Sequence, residues 1–345
     1  MGLIHPTDLE AWQRWHERRH PARLVKRGLL SRMRPEPVPT VHVTAGGRRP
    51  RVAVIAESRS TTTVLSLLAP VAHLPQADVL VFSADEVDDV LGHEDGWSTT
   101  AVSLTDVVLP DTIEVVVAAG HYMQIGEAMH AAAEARGVPF VVVQHGLLTP
   151  HNPPLPAGAH LLAFSEADAD YWRSGRTDVT TEVVGSQLLW RVATGPQAEV
   201  DAGGRPVFLG QLHGAELPRR DMARTIGRFC SETGASYRPH PSERDRLSVL
   251  QHRLWERRGI TVDRTRAPLA ESTSPVVSIF STGVLEAAAR GIPAWVTHDD
   301  PPPWLRDFWS RYGMSRWGEA PTPSPRMPDG EPARLVAERL SSLGR

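Results

Sequence analysis

Short runs of apolar residues, separated by stretches with helical spacing, constrain this chain more than any other feature. Residues 115–119 and 140–143 contain no polar side chain, which is typical of strands buried on both faces of a parallel sheet. Residues 123–135, between them, have the apolar spacing of a helix. We therefore predict a β-α-β rhythm and an α/β fold of the doubly wound kind.

The same rhythm runs through two halves of the chain. The first half has further predicted strands at 51–56, 79–83, 161–164 and 182–184, and a helical stretch at 62–73. The second half is predicted to have strands at 206–209, 235–238, 260–263, 276–280 and 292–297, with helices at 217–233, 247–257 and 284–290. Gly203 and Gly204 mark the change, and Gly291 is a candidate C-cap.

Four regions follow from this pattern. Residues 1–45 form a basic N-terminal segment and linker, and residues 321–345 form a Pro-rich linker and a C-terminal helix. Between them we expect two Rossmann-like domains, 46–200 and 201–320.

Composition excludes several classes of protein. The formal net charge of -3 argues against a protein devoted to nucleic acid. A single cysteine, Cys230, excludes an intrachain disulfide and suits a reducing cytoplasm. No apolar run approaches the roughly 20 residues that cross a bilayer, and there is no CxxC or HExxH motif for zinc. We expect a cytoplasmic protein with no metal and no cofactor.

Residues 1–34 are strongly basic, and Trp12 and Trp15 lie among their arginines. One interpretation is an amphipathic segment that contacts an anionic membrane surface, which would hold the protein at the inner face of the membrane. The other is a solvated helix that packs on the body of the protein. The sequence leaves both open.

Ligands of open parallel sheets bind beyond the carboxyl ends of the strands, so polar residues that follow apolar strands are candidates. Gln144, His145 and Gly146 follow residues 140–143. A histidine there can act as a general base near neutral pH. The alternative is a histidine that only bonds backbone in the turn.

Two further candidates lie in the second half. His240 stands between two prolines that restrict its backbone, and it can donate a hydrogen bond to a phosphate. Ser281, Thr282 and Gly283 open a helix whose N–H groups suit a phosphate, and Glu286 lies on the same helix face and can bind a ribose diol. Both segments also have a structural explanation, because Ser242 can cap the helix that follows His240, and Ser281 or Thr282 can cap the helix that they open.

Weaker candidates follow the strands at 51–56 and 115–119. The turn from Glu57 to Thr63, which contains Ser58 and Arg59, could hold an acceptor or simply cap a helix, and His121 is a similar cleft candidate. No GxGxxG fingerprint accompanies them.

The order Gln144-His145-Gly146, His240-Pro241 and Ser281-Thr282 with Glu286 resembles GT-B transferases that use cytidine-nucleotide donors. These include bacterial polysialyltransferases, capsule Kdo transferases and CDP-glycerol glycerophosphotransferases. Residues 164–166, 171–172 and 184–186 are also similar to the interval after the histidine-glycine turn of such proteins. The resemblance covers roughly residues 50–300.

The resemblance implies two Rossmann-like domains with parallel sheets that face one another across a cleft. It implies that His240 and the Ser281-Thr282 turn contact donor phosphate and that Glu286 contacts the ribose or base, without a catalytic metal. The first domain would bind acceptor and supply the base. Sialyltransferases of this kind carry an acidic motif ending in glycine, which Glu94-Asp95-Gly96 matches, but we favour His145 because it ends a strand.

We therefore expect a transferase that moves a sugar or polyol phosphate from a cytidine nucleotide to a cell-envelope glycan or teichoic-type acceptor. His145 would take the proton, and His240 with Ser281 would stabilise charge on the leaving phosphate. A UDP-GlcNAc 2-epimerase-like enzyme and a catalytically inactive GT-B binding scaffold are the alternatives.

Overall fold

The computed structural model describes residues 2–19, 38–91, 96–197, 199–201, 203–212, 214, 216–265 and 272–344. The chain divides into two compact units. The N-terminal unit comprises Gly2–Leu188 together with Pro328–Arg345, and the C-terminal unit comprises Leu189–Met327. The boundary between the units therefore lies after Leu188, whereas the sequence predicts it after residue 200. The residues from Pro328 onward belong to the N-terminal unit.

The N-terminal unit is built on an eight-stranded sheet. Its strands are β1 (Thr40–Ala45), β2 (Val52–Ala56), β3 (Val79–Ser83), β4 (Ser98–Ser103), β5 (Val115–Ala118), β6 (Phe140–Val143), β7 (His160–Ala163) and β8 (Thr180–Val183). Their order is β4-β1-β3-β2-β5-β6-β7-β8. β1 is antiparallel to β3 and β4, and the other neighbours are parallel.

The strands predicted from apolar runs are confirmed as β2, β3, β5, β6, β7 and β8. Two strands were not predicted. β1 lies in the segment that we expected to be a linker, and β4 lies between predicted elements. Both are rich in threonine or serine and are partly exposed, so they lack the apolar run that identifies a buried parallel strand.

Both faces of this sheet are covered, which explains the continuous apolar runs. Ala53 and Ile55 belong to one core cluster, and their neighbours Val52 and Val54 belong to another. Because successive residues of a strand point to opposite faces, each residue of β2 is buried on one side or the other. The predicted parallel sheet with two covered faces is therefore confirmed.

Helices join these strands. They are α1 (Leu9–Arg19), α2 (Gln124–Arg136), α3 (Glu166–Arg173) and α4 (Gln187–Thr194), which leads into the C-terminal unit. The predicted helical stretch at 62–73 is a mixed segment with an α-helical turn at Thr61–Thr63, a π-helical turn at Val64–Leu68 and a 3₁₀ turn at Ala69–His73. Shorter 3₁₀ turns lie at Gln76–Asp78, Asp88–Val90 and Leu104–Asp106.

The C-terminal unit contains a four-stranded parallel sheet of order β10-β9-β11-β12. Its elements are β9 (Val207–Leu209), α5 (Arg219–Thr233), β10 (Ser236–Arg238), α6 (Arg246–Arg257), β11 (Val276–Ser278), α7 (Gly283–Ala289), β12 (Ala294–Val296) and α8 (Pro303–Arg311). The predicted strand at 260–263 is reduced to a single bridge between Tyr237 and Val262. Gly291 follows α7 with a φ of 77°, as a C-terminal glycine should.

The chain then returns to the N-terminal unit through the predicted C-terminal helix, α9 (Pro332–Leu343). Val336, Ala337 and Leu340 of α9 join the same core cluster as Val52 and Val54. Within the described residues, no helix combines the length and the apolar character that crossing a bilayer requires.

Candidate functional site

A buried carboxylate organises the carboxyl edge of the C-terminal sheet. The Glu243 side chain is fully buried. Its Oε2 accepts the Tyr237 hydroxyl at 2.7 Å and lies 3.0 Å from Nε2 of His252. Its Oε1 accepts the Leu212 N–H at 2.9 Å, so the loop after β10 is tied to the loop after β9. Burial, with Glu243 beside it, raises the pKa of Tyr237 well above its ordinary value.

A buried glutamine fastens the next pair of loops. Oε1 of Gln211 accepts the Phe280 N–H and the Ser278 hydroxyl, both at 2.9 Å. Gln211 follows β9 and Phe280 follows β11. The loops after β10, β9 and β11 therefore form one connected structure, in which the predicted donor residues are held.

His240 lies in the first of these loops and is exposed. Its Nδ1 accepts the Ser242 N–H at 3.1 Å, which places the ring proton on Nε2 as a hydrogen-bond donor. The capping role that Ser242 could have had belongs to Asp245, whose Oδ1 accepts the N–H groups of Leu247 and Ser248 at 3.0 Å.

The loop after β11 presents polar groups that no described residue binds. The N-cap residue of α7 is Thr282, whose side chain makes no capping bond. Ser281 Oγ accepts the Gly283 N–H at 3.1 Å, so that N–H is occupied. The N–H groups of Ser281 and Thr282 and the Thr282 hydroxyl make no hydrogen bond to any residue that the structure describes. Glu286 is half-buried, and its carboxylate has neither a hydrogen bond nor an ion pair within that part of the chain. Burial raises the pKa of this carboxyl.

His298, which was not predicted as a site residue, follows β12. His298 is 7% exposed and its Nδ1 accepts the Asp300 N–H at 3.2 Å. Its Nε2 is buried with no partner among the described residues, and burial lowers its pKa. Its position directly after a predicted strand was the signal that would have identified it.

Glu57 begins the candidate turn after β2, at the edge of the N-terminal sheet. Its Oε1 accepts the Ile125 N–H at the start of α2 at 2.6 Å. Burial raises the pKa of this carboxyl to about 7, against the opposing effect of the backbone bonds from Ile125 and Gly126. A carboxyl group with that pKa can exchange a proton near neutral pH.

Two histidines follow the neighbouring strands β5 and β6. Nδ1 of His121 and Nδ1 of His145 are buried, and neither has a partner within the described ranges. Burial, with His130 nearby, lowers the pKa of His121 to about 4, and burial lowers the pKa of His145. Both rings are therefore neutral at pH 7. Since β2, β5 and β6 are adjacent, Glu57, His121 and His145 share one edge of the sheet.

The other predicted residues of this edge are engaged within the unit. Gln144 is fully buried, its Oε1 accepts the Phe164 N–H and its Nε2 donates to the Gly146 carbonyl, both at 2.9 Å. Ser58 shares a hydrogen bond of 2.9 Å with Thr63. Arg59 donates to Asp89 at 2.6 Å. Gln144 therefore shapes the turn that carries His145, and the acidic motif with Glu94 and Asp95 lies outside the described residues.

Helix α1 packs against loops of the same edge. The Trp12 indole donates to the His151 carbonyl at 2.7 Å and its ring meets Tyr122 at 5.5 Å. Trp15 stacks on His151 with centroids 4.6 Å apart. Both tryptophans thus pack on the N-terminal unit, as the second interpretation of the basic segment predicted. Residues 20–34 lie outside the described part of the chain.

No group of three or more histidine, cysteine or acidic side chains in the described ranges is arranged to hold a metal ion.

Comparison with known proteins identifies the fold. No family matches the sequence, and no curated protein matches it. The UDP-GlcNAc 2-epimerase of Methanocaldococcus jannaschii, in complex with UDP-GlcNAc and UDP, is similar at a TM-score of 0.54 and 13% identity, over 85% of this chain and 99% of that chain. An O-GlcNAc transferase mutant of Thermobaculum terrenum gives a TM-score of 0.42 and 15% identity, over 87% and 62% of the two chains. The first likeness confirms the predicted α/β fold of GT-B type, with one mostly parallel sheet and one parallel sheet.

Proposed function

We propose that this chain is a GT-B-type transferase that binds a nucleotide-activated donor at the carboxyl edge of its C-terminal sheet. The observation that carries the proposal is the loop after β11. It combines two successive unbonded N–H groups, those of Ser281 and Thr282, with a half-buried carboxylate, Glu286, which has no partner in the described chain. Successive backbone N–H groups can bind the oxygens of a phosphate. The carboxylate can accept hydrogen bonds from the hydroxyls of a ribose.

The donor phosphate is assigned to the N–H groups of Ser281 and Thr282 and to the Thr282 hydroxyl. His240 assists from the loop after β10, which the loop after β9 connects to the loop after β11. The Nε2 proton of His240 can be donated to a phosphate oxygen. In the reaction these groups stabilise the negative charge that develops on the leaving nucleotide, which is an electrostatic contribution that needs no metal. The Gly283 N–H is already bonded to Ser281 Oγ, so it is not assigned to the phosphate.

The acceptor is assigned to the edge of the N-terminal sheet. An acceptor hydroxyl attacks the activated carbon or phosphorus of the donor, the bond to the nucleotide breaks, and His145 takes the hydroxyl proton. A neutral imidazole is needed for that role, and burial lowers the pKa of His145. His121, Ser58, Arg59 and the Gly146 turn line the same edge, and Gln144 positions His145.

The finer assignment is a cytidine nucleotide as donor and a cell-envelope glycan or teichoic-type polymer as acceptor. It is supported by the order of the motifs around His145, His240 and Ser281. The structurally similar epimerase was solved with UDP-GlcNAc and UDP, so a uridine nucleotide is the rival ligand.

Calorimetric titration of the full chain with CMP, CDP, UDP, GDP and ADP tests the proposal. We expect CMP or CDP to bind more tightly than the other nucleotides. Binding of UDP without CMP or CDP would support an epimerase-like enzyme instead. Failure of all five nucleotides to bind would contradict the transferase and support an inactive scaffold.

A further inference from the structure

Exposed aliphatic side chains are concentrated on one helix of the C-terminal unit. On α6, Leu247, Val249, Leu250 and Leu254 expose 64%, 38%, 54% and 38% of their surface. The other large hydrophobic residues exposed in the described ranges are scattered along the sequence. A contiguous exposed apolar patch on a folded protein marks an interaction surface more often than chance.

The exposure is a consequence of how α6 is anchored. Ser248, His252 and Trp255 are buried, and His252 lies within hydrogen-bond distance of the buried Glu243. Asp245 fixes the first turn as its N-cap. These contacts set the rotation of the helix, so the leucines cannot turn inward without breaking them.

The same leucines border a basic groove between α5 and α6. Its volume is about 1020 Å³, and Leu247, Leu250 and Leu254 are among its lining residues. The charged residues that line it are all arginines, namely Arg219, Arg220, Arg224, Arg228 and Arg258. We call this surface the α5–α6 groove.

Two of the five arginines of the groove have no carboxylate partner among the described residues. Arg219, Arg224 and Arg228 have carboxylates beside them, at 3.9 Å, 3.4 Å and 2.8 Å. The side chains of Arg220 and Arg258 form no ion pair or hydrogen bond within the described residues. An occupant of this surface must therefore present both anionic groups and apolar surface.

We propose that the α5–α6 groove docks on a lipid bilayer that contains anionic lipids. The exposed leucines enter the acyl region, and the arginines around them bind lipid phosphates, which is the arrangement of an interfacial helix. A second copy of this chain fits less well, because a symmetric contact would bring the same arginines together. The inference does not depend on nucleotide binding.

Co-sedimentation of the full chain with vesicles tests this inference. We expect binding to vesicles of phosphatidylcholine mixed with phosphatidylglycerol, weakened by salt, and little binding to phosphatidylcholine alone. The double variant Arg220→Ser, Arg258→Ser should bind the anionic vesicles about thirtyfold more weakly, at roughly fivefold for each arginine. The double variant Leu250→Ser, Leu254→Ser should lose about tenfold or more.

Matched controls lie in the N-terminal unit. Val108 is 74% exposed, and Arg48 and Arg49 are also exposed. The control variants are Val108→Ser and the double variant Arg48→Ser, Arg49→Ser. Both should leave vesicle binding unchanged. Unchanged circular dichroism would show that all the variants fold. The inference is overturned if the wild-type chain ignores anionic vesicles, if control and groove variants lose binding equally, or if light scattering shows leucine-dependent dimers in place of vesicle binding.

Discussion

At the scale of single residues, Glu57 makes the stability of the N-terminal unit depend on pH. Its carboxyl accepts the Ile125 N–H at the start of α2, yet its pKa is raised to about 7 from an ordinary value of 4.5 because burial disfavours the charge. A carboxyl whose pKa is raised on folding binds its proton more tightly in the native state. The stability it contributes is therefore complete below pH 4.5 and is lost as the pH rises toward 7.

We expect Glu57→Gln to remove this pH dependence of the free energy of unfolding. Relative to the variant, the wild-type free energy of unfolding should fall by about 3 kcal/mol as the pH rises through that window, since one pKa unit corresponds to about 1.4 kcal/mol. Urea denaturation of both proteins across the window measures the difference. Parallel stability curves for the two proteins would show that Glu57 does not titrate there.

The sequence nominated residues at the sheet edges because they follow apolar strands, and the structure shows which of them keep groups for a ligand. Within the described chain, the Thr282 hydroxyl and the Glu286 carboxylate have no hydrogen-bond partner. Gln144 and Arg59, in contrast, are bonded to other parts of the N-terminal unit. The difference depends on contacts between residues distant in sequence, such as Arg59 with Asp89. Periodicity carries no information about such contacts.

At the scale of elements, two buried glutamines perform the same task in the two sheets. Gln144 follows β6 and accepts the Phe164 N–H after the neighbouring strand β7. Gln211 follows β9 and accepts the Phe280 N–H after the neighbouring strand β11. Each side chain thereby holds two loops together at the edge where we expect ligands.

Leucine substitution of each glutamine leaves the N–H of a half-buried phenylalanine without its acceptor. We expect Gln144→Leu and Gln211→Leu each to lower the free energy of unfolding by about 1–3 kcal/mol. Gln211→Leu should also weaken nucleotide binding, because the loop with Ser281 and Thr282 is no longer held. Denaturation and calorimetry of the two variants measure both effects. An equal loss of nucleotide affinity in Gln144→Leu would contradict the assignment of the nucleotide to the C-terminal unit.

The elements themselves were largely predictable. Strands such as β5 and β6, which are buried on both faces, have continuous apolar sequences and were found. The antiparallel strands β1 and β4 were missed because they pair through polar, partly exposed residues. Residues 260–263 have the composition of a strand, but their pairing is limited to the bridge at Val262.

At the scale of the whole molecule, each unit has its own sheet of mostly or wholly parallel strands, with its own set of polar residues at the carboxyl edge. The resemblance in motif order predicted the GT-B fold, and the likeness to a solved GT-B-type structure confirms it. The return of α9 to the N-terminal unit was not predictable, because the core contacts of Val336 and Leu340 involve strands that lie far away in sequence. The division of roles between the two edges remains the central proposal.

The most direct measurement of that division is the calorimetric affinity of His240→Ala and His145→Ala for the nucleotide that binds best. Loss of a hydrogen bond to a charged phosphate costs about 1.5–3 kcal/mol, so His240→Ala should bind roughly tenfold to a hundredfold more weakly. His145→Ala and the control His5→Ala should bind as tightly as the wild type, because both positions lie in the N-terminal unit. Unchanged affinity in His240→Ala, or a large loss in His145→Ala, would contradict the account.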